Sequence, residues 1–307
     1  MAGRAVVVGE ALVDLVVALD GSVTAHLGGG PFNAARAASR LGAPVSFLAR
    51  LSDDRFGGMF RDALVADGVD VSTVVSTPEP TTLAVAELDE RGAASYRFHL
   101  VDTSAPGLTV DDALAHVPTD VSVLCLGTLG LLLQPMAGAS VALAESLRGR
   151  ASLVVDPNIR TALLRSDDAE YRRRLEHVIS LADVVKVSDD DLEWISPSLS
   201  PDDGARAMVD SGAGLVVVTR GAHGASAFGA GGLRVDVPGR AVDVVDTIGA
   251  GDSFVGALVS RLVDRGASWI ADPDAVADSV SFANRVAGIT VSRAGASPPL
   301  LAEVPDA

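Results

Sequence analysis

The chain has 307 residues, is 48% apolar but only 4% aromatic, and carries a net charge of −16. That acidity excludes a nucleic acid backbone or an anionic membrane surface as a partner, since both need clustered Lys and Arg. The length suits one large α/β domain or two ordinary ones, with Ala, Val and Leu filling the core in place of rings.

In chain order, a β-branched run at 5–8 predicts a first strand, with no secretory h-region before it. Residues 12–25 read as two strands turning at Asp20-Gly21. A helix over 32–41 follows from apolar Ala34, Ala35, Ala38 and Leu41 at helical spacing. A strand at 45–49 and a helix over 56–67 precede a second hairpin, 81–88 and 94–100, joined by Asp89-Glu90-Arg91-Gly92. Strands at 121–126, 152–155, 183–187 and 215–219 then alternate with helices over 135–148, 169–181 and 201–211. Two further strands, 225–228 and 233–237, lead to helices over 250–265 and 273–291, and residues 2–4 and 298–307 are expected to fray. Such alternation predicts a mostly parallel sheet covered by helices on both faces. The two hairpins have no helices between their strands, so they predict a small separate sheet, formed by about 10–27 and 80–104 and inserted in a single domain of residues 1–307. That sheet is expected to cover the active edge.

Two single residues narrow the chemistry. Cys125 is the only cysteine, so no intrachain disulfide can form, which fits a reducing, cytoplasmic setting. No apolar stretch reaches the ~20 residues of a membrane helix. Lys186 is the only lysine, and it belongs to neither common phosphate motif: there is no Gly-Lys-Ser/Thr P-loop and no H-R-D loop. Any phosphate must be cradled in another way.

One such cradle is Asp246-Thr247-Ile248-Gly249-Ala250-Gly251-Asp252, running into the helix at 250–265. Small residues let the backbone approach a ligand, and amides at a helix start form an anion site. Asp252 would repel a static phosphate; it makes sense if it takes a proton beside a phosphoryl group in transfer. The alternative is a Gly-rich loop with Asp as a cap. The second stretch, Gly28-Gly29-Gly30-Pro31-Phe32-Asn33, also opens a helix, and the Asn33 amide suits sugar hydroxyls.

Together with Arg40-Leu41-Gly42 and Asp53-Asp54-Arg55-Phe56-Gly57, these two stretches resemble the N- and C-terminal signatures of the PfkB carbohydrate kinases, in order and across essentially the whole chain. Gly9-Glu10 through Asp14, Asp156-Pro157-Asn158-Ile159-Arg160, Lys186-Val187-Ser188 with Asp191, and Thr219-Arg220-Gly221 with Gly224 resemble further family segments, closest to fructokinase-like members. The resemblance implies a three-layer ribokinase-like α/β fold with a β-sheet lid. It implies ATP-dependent phosphorylation of a primary hydroxyl on a small neutral sugar, fructose first, with Asp252 as general base and the Gly249, Ala250 and Gly251 amides stabilising charge. The sugar would be held by Asp14, Gly29, Gly30, Asn33 and Arg160, and the nucleotide by Lys186, Ser188, Thr219, Gly221, Gly224 and Asn284. Mg²⁺ is implied through water at Asp191, although this chain has Asp where the family has Glu, and K⁺ at Asp246 and Ile248. A homodimer through the lid is implied as well. Competing readings are a nucleoside or 2-keto-3-deoxygluconate kinase of the same fold, or a non-catalytic sugar sensor. In the lid, Phe98 and His99 align with the aromatic positions of fructokinase-like members and Leu100 with their arginine, which leaves Arg97 on the opposite face.

Overall fold

Val6, Val7 and Val8 are wholly buried, as a strand covered on both faces requires. They belong to β1 (Arg4–Val8), which is followed by β2 (Leu12–Val17), β3 (Val23–Gly28) and helix α1 (Gly30–Arg40). The computed structural model describes residues 3–88, 94–164 and 168–305. Next come β4 (Val45–Leu48), β5 (Arg50–Ser52), α2 (Arg55–Ala66), β6 (Val75–Thr77), β7 (Leu83–Leu88) and β8 (Ala94–His99). The middle of the chain supplies α3 (Val110–His116), β9 (Val121–Gly127), α4 (Leu129–Leu132), α5 (Met136–Ser146), β10 (Ser152–Asp156), α6 (Ala169–Leu181), β11 (Val184–Ser188) and α7 (Asp189–Ile195). It ends with α8 (Pro201–Asp210), β12 (Leu215–Thr219), β13 (Gly224–Gly229), β14 (Arg234–Pro238), α9 (Ala250–Arg265) and α10 (Pro273–Val291).

Eight strands form the main sheet in the order β14-β13-β12-β11-β10-β9-β1-β4. It is parallel from β4 to β12, and antiparallel only at β12–β13 and β13–β14. Two apolar layers sandwich it. One packs Phe32, Phe254, Leu258 and Val280 of α1, α9 and α10 against Val7 and Cys125; the other packs Leu143, Leu175 and Met208 of α5, α6 and α8 against Val8 and Leu126. Strand alternation sends Val7 and Val8 to opposite layers. The three-layer α/β expectation holds.

Gly256 lets α1 and α9 pack closely. A Cβ there would lie 2.5 Å from Ala37 Cβ and 2.8 Å from the Ala34 carbonyl oxygen. This contact brings the starts of two helices more than two hundred residues apart in sequence to one point.

The hairpin segments form a four-stranded sheet of their own, in the order β3-β2-β7-β8. The expected turn at 89–92 lies outside the described residues. In register, His26 and Ala84 flank Asp14, and Phe98 flanks Ala84, so these four residues share one face. Arg97 pairs with Val85 on the other face, 73% exposed, its Nε 3.8 Å from Glu87.

Three features depart from the expectations. The described residues near each end are tied down where fraying is expected: Arg4 is in β1, bridged to Asp70 at 2.6 Å, and on the C-terminal side Glu303 binds Arg293 at 2.7 Å while Arg40 Nε donates to the Pro298 carbonyl. Short helices α3 and α7 and the parallel pair β5–β6 add to the expected elements, being too brief to show a period in the sequence. Asp54 proves structural: it caps α2 through the Gly57 amide and holds Thr81 at the entrance to β7, anchoring the lid.

Candidate active site

The C-terminal ends of β1, β9 and β10 and the starts of α1 and α9 converge on one cluster. Around the place where a Cβ on Gly30 would sit, Thr128 Cγ2 is 2.9 Å away, Asp252 Oδ1 3.3 Å and Asn158 Nδ2 3.4 Å. Only glycine fits there. Gly30, Thr128, Asp156 and Asp252 line a common cavity; a larger one of about 270 Å³, between the ends of α5 and α6, includes none of the candidate residues.

Asp252 lies in the first turn of α9, whose cap Gly249 is in the left-handed conformation (φ 75°). A Cβ on Gly249 would lie 2.6 Å from Ala296 Cβ, so this cap must be glycine. Ala250 and Gly251 therefore open the helix: the Ala250 amide turns back to the Thr247 carbonyl in a long 3.4 Å bond, and the Gly251 amide is one of the first-turn donors that lack an α-helical partner. Asn33 Nδ2 donates to Asp252 Oδ2 at 2.9 Å, while Asn33 Oδ1 is buried without a partner. Burial raises the Asp252 carboxyl; the Asn33 hydrogen bond and the charges of Lys186 and Arg160 oppose this without cancelling it. Such a carboxyl is a better base than an exposed one.

Lys186 is only 5% exposed, so its amine does not reach solvent as an ordinary strand-end lysine would. Its Nζ lies 3.3 Å from both oxygens of Asp156 and 3.1 Å from the place of a Cβ on Gly251. The chain's one lysine thus sets its ammonium beneath the start of α9, a positive charge in a chain that is acidic as a whole. Burial lifts Asp156 to about 7 despite the Lys186 charge, and Asp156 in turn holds Lys186 protonated.

On the lid side, Asp14 projects from β2 so that its Oδ2 would be 2.3 Å from a Cβ on Gly28. Burial pushes its carboxyl up to about 6, opposed by Arg160 and His26. Gly29 (φ 110°) lies against the Glu10 carbonyl, which would meet a Cβ at 2.6 Å. Arg160 Nη1 donates to Asn158 Oδ1 at 2.5 Å, and its charge reaches Glu10, Asp14 and Asp252. The residues expected to hold the sugar therefore lie close to one another.

The remaining candidates lie along the second half of the sheet. Ser188 caps α7 and donates to Asp191 Oδ2 at 2.7 Å; Asp191 Oδ1 accepts from the Ile159 amide. Both Asp191 oxygens are thus engaged in bracing two loops. No group of three or more His, Cys, Asp or Glu among the described residues is arranged to hold a metal. Thr219 ends β12; Gly221 (φ 52°) and Gly224 (φ 93°) shape the turn after it. Asn284 of α10 has a buried Nδ2 without a partner. Asp246 accepts from the Ile248 and Gly295 amides at 3.0 and 2.9 Å, so the loop expected to hold K⁺ is tied to the loop that follows α10.

Sequence reasoning missed Thr128 and assigned no role to Glu10. Thr128 stands at the end of β9 with φ 46°, rare for a β-branched residue, and its hydroxyl donates to the buried Glu10 Oε1 at 2.6 Å. Glu10 lies within a motif, so its position was visible; Thr128 lies in no motif, and its backbone angle leaves no trace in the sequence.

The pfkB family carbohydrate kinase pattern matches residues 2–303. The chain belongs to this family of carbohydrate kinases. The kinase is 34% identical over 258 residues to the fructokinase of Rhizobium leguminosarum bv. trifolii, a span covering 83% of this chain and 78% of that relative. Its fold matches the Xylella fastidiosa fructokinase with bound ATP at a TM-score of 0.90 and 27% identity, over 99% and 97% of the two chains. It also matches the Vibrio cholerae O395 fructokinase bound to fructose, ADP and calcium at 0.84 and 29%, over 96% and 94%. The kinase is therefore an enzyme with a ribokinase-like fold, and its relatives act on sugars.

Proposed function

We propose that this kinase transfers the γ-phosphoryl group of ATP to a primary hydroxyl of a small neutral sugar, with fructose the preferred acceptor. The observation that carries this reading is the Asp252 carboxyl, buried in the first turn of α9, hydrogen-bonded by Asn33 and placed beside amides able to bind an anion. Asp252 accepts the acceptor's hydroxyl proton as that oxygen bonds to the γ-phosphorus. The bond to the bridging β,γ-oxygen breaks, and ADP leaves with the electron pair. The Gly249, Ala250 and Gly251 amides and Lys186 offset charge on the transferred group.

Asp14, Gly29, Gly30, Asn33 and Arg160 would orient the sugar; Ser188, Thr219, Gly221, Gly224 and Asn284 would line the nucleotide. Asp191 has both oxygens engaged, so it would hold Mg²⁺ only through water, and the ion would supply charge neutralisation to the nucleotide's phosphates. The loop at Asp246 and Ile248 suits K⁺. The reading also includes a homodimer through the outer lid face, where Val23 is exposed, and cytoplasmic residence, which suits the buried thiol Cys125. Fructokinases among the relatives favour fructose as the sugar.

The test is ADP release with ATP and a panel of ketoses, aldopentoses, 2-keto-3-deoxy acids and nucleosides. Fructose should give the highest kcat/KM. No turnover above the ATP-only background with any acceptor would overturn the reading.

A further inference from the structure

Glu10 has no assigned role, yet it is among the most buried acids of the molecule. It stands two residues past the end of β1, is 2% exposed, and leaves Oε2 buried without a partner. A carboxyl in such a place needs a reason, because a buried unpaired oxygen costs stability. Its other oxygen supplies one. Oε1 accepts the Thr128 hydroxyl at 2.6 Å, in a bond that joins the end of β1 to the end of β9.

Thr128 is the strained member of this pair. Its φ is 46° and its ψ −132°, a conformation that β-branched residues rarely adopt and that surrounding structure must impose. The Thr128 amide donates to the Asp156 carbonyl at 3.0 Å, which fixes one end of the residue to β10. The hydroxyl bond to Glu10 fixes the side chain. With both held, Thr128 Cγ2 stands against the hydrogen of Gly30, across from Asp252 Oδ1.

We propose that Glu10 is a positioning residue: by holding the Thr128 hydroxyl it keeps the end of β9 in its left-handed conformation, and so sets the wall of the acceptor site opposite Asp252. It touches neither substrate. The inference rests on the proposed function for the placing of the acceptor site and for its kinetic readout. Without the Glu10 bond, Thr128 relaxes towards ordinary backbone angles and the wall moves away from Gly30. The acceptor hydroxyl then loses its alignment with Asp252, which lowers kcat while leaving the distant nucleotide subsite unchanged.

The test compares Glu10→Gln, Glu10→Met, Thr128→Val and Glu10→Met/Thr128→Val, with ATP and fructose as substrates. Gln keeps the acceptor oxygen, so its kcat should stay within about threefold of wild type. Met and Val should each lower kcat by roughly tenfold or more, the scale of a misplaced reacting group, with KM for ATP within about twofold. The double variant should be no worse than the poorer single. If Glu10→Met does not fold, Thr128→Val, which conserves shape, decides alone. A kcat for Thr128→Val within twofold of wild type, a Gln variant as poor as Met, or additive losses would overturn the proposal. A crystal structure of Thr128→Val gives a reading free of activity. Residue 128 should have left the left-handed region, and φ still near 46° would show that Glu10 does not hold it.

Discussion

Asn33 and Asp252 are 219 residues apart in the chain, yet the amide of the one donates to the carboxylate of the other at 2.9 Å. The bond occupies Oδ2 and leaves Oδ1 facing Gly30. Asp252→Asn should keep ATP and sugar binding but lower kcat by roughly 10²–10⁴, the usual worth of a positioned base. Asn33→Ala, which leaves the base present but unaimed, should cost less, about tenfold. Steady-state kinetics on both variants checks the order; an Asp252→Asn enzyme within a few-fold of wild type would remove Asp252 from the mechanism.

The buried carboxyls make stability depend on pH in a calculable direction. Burial raises Glu10 from an ordinary 4.5 to about 7, so between those values the folded chain keeps a proton that the unfolded chain has lost. Its contribution is fully present below 4.5 and is lost as pH rises through 7. Glu10→Gln cannot titrate. The stability of the variant relative to wild type should therefore climb by about 1–3 kcal/mol between roughly pH 5 and pH 8. Urea denaturation at both pH values measures it, and a constant difference would show that Glu10 is ionised throughout.

Lys186 and Asp156 form a pair buried on both sides, 5% and 6% exposed. Lys186→Met leaves the Asp156 carboxyl buried without its cation, so that it must bind a proton to fold, and should destabilise by roughly 3–5 kcal/mol at neutral pH. Lys186→Met/Asp156→Asn, which removes both charges, should recover much of that loss without restoring full kcat, since no ammonium then lies below the α9 amides. Thermal unfolding and steady-state kinetics on the pair of variants check this. Recovery of stability and turnover together would show the pair to be structural only.

Arg97 points away from Asp14, on the face of the lid that carries Val85 and Glu87. A sugar carboxylate would find no cation on the inner lid face at that strand. Fructose should accordingly be preferred over 2-keto-3-deoxygluconate, and Arg97→Ala should change KM for fructose less than about twofold. A tenfold preference for the acid would place the needed charge elsewhere, at Arg160.

The apolar runs at 5–8, 121–126 and 215–219, the Ala periodicity of 32–41 and the glycine stretches at 28–30 and 249–251 determined the α/β order and marked, without coordinates, the two loops that open α1 and α9. These signals are local: a strand's burial and a helix's period are written in neighbouring residues, and a motif keeps its spacing along the chain. What the sequence could not carry was pairing across distance. The Asn33–Asp252 bond depends on α1 meeting α9 at Gly256, and Lys186 turns inward because β11 sets it beside Asp156 on β10. The left-handed angle of Thr128 depends on Glu10, 118 residues earlier. Contacts of that kind come from packing elements that no local pattern relates, so only the tertiary structure decides which buried charges are paired, which backbone is strained and which carboxyl meets the Asn33 amide.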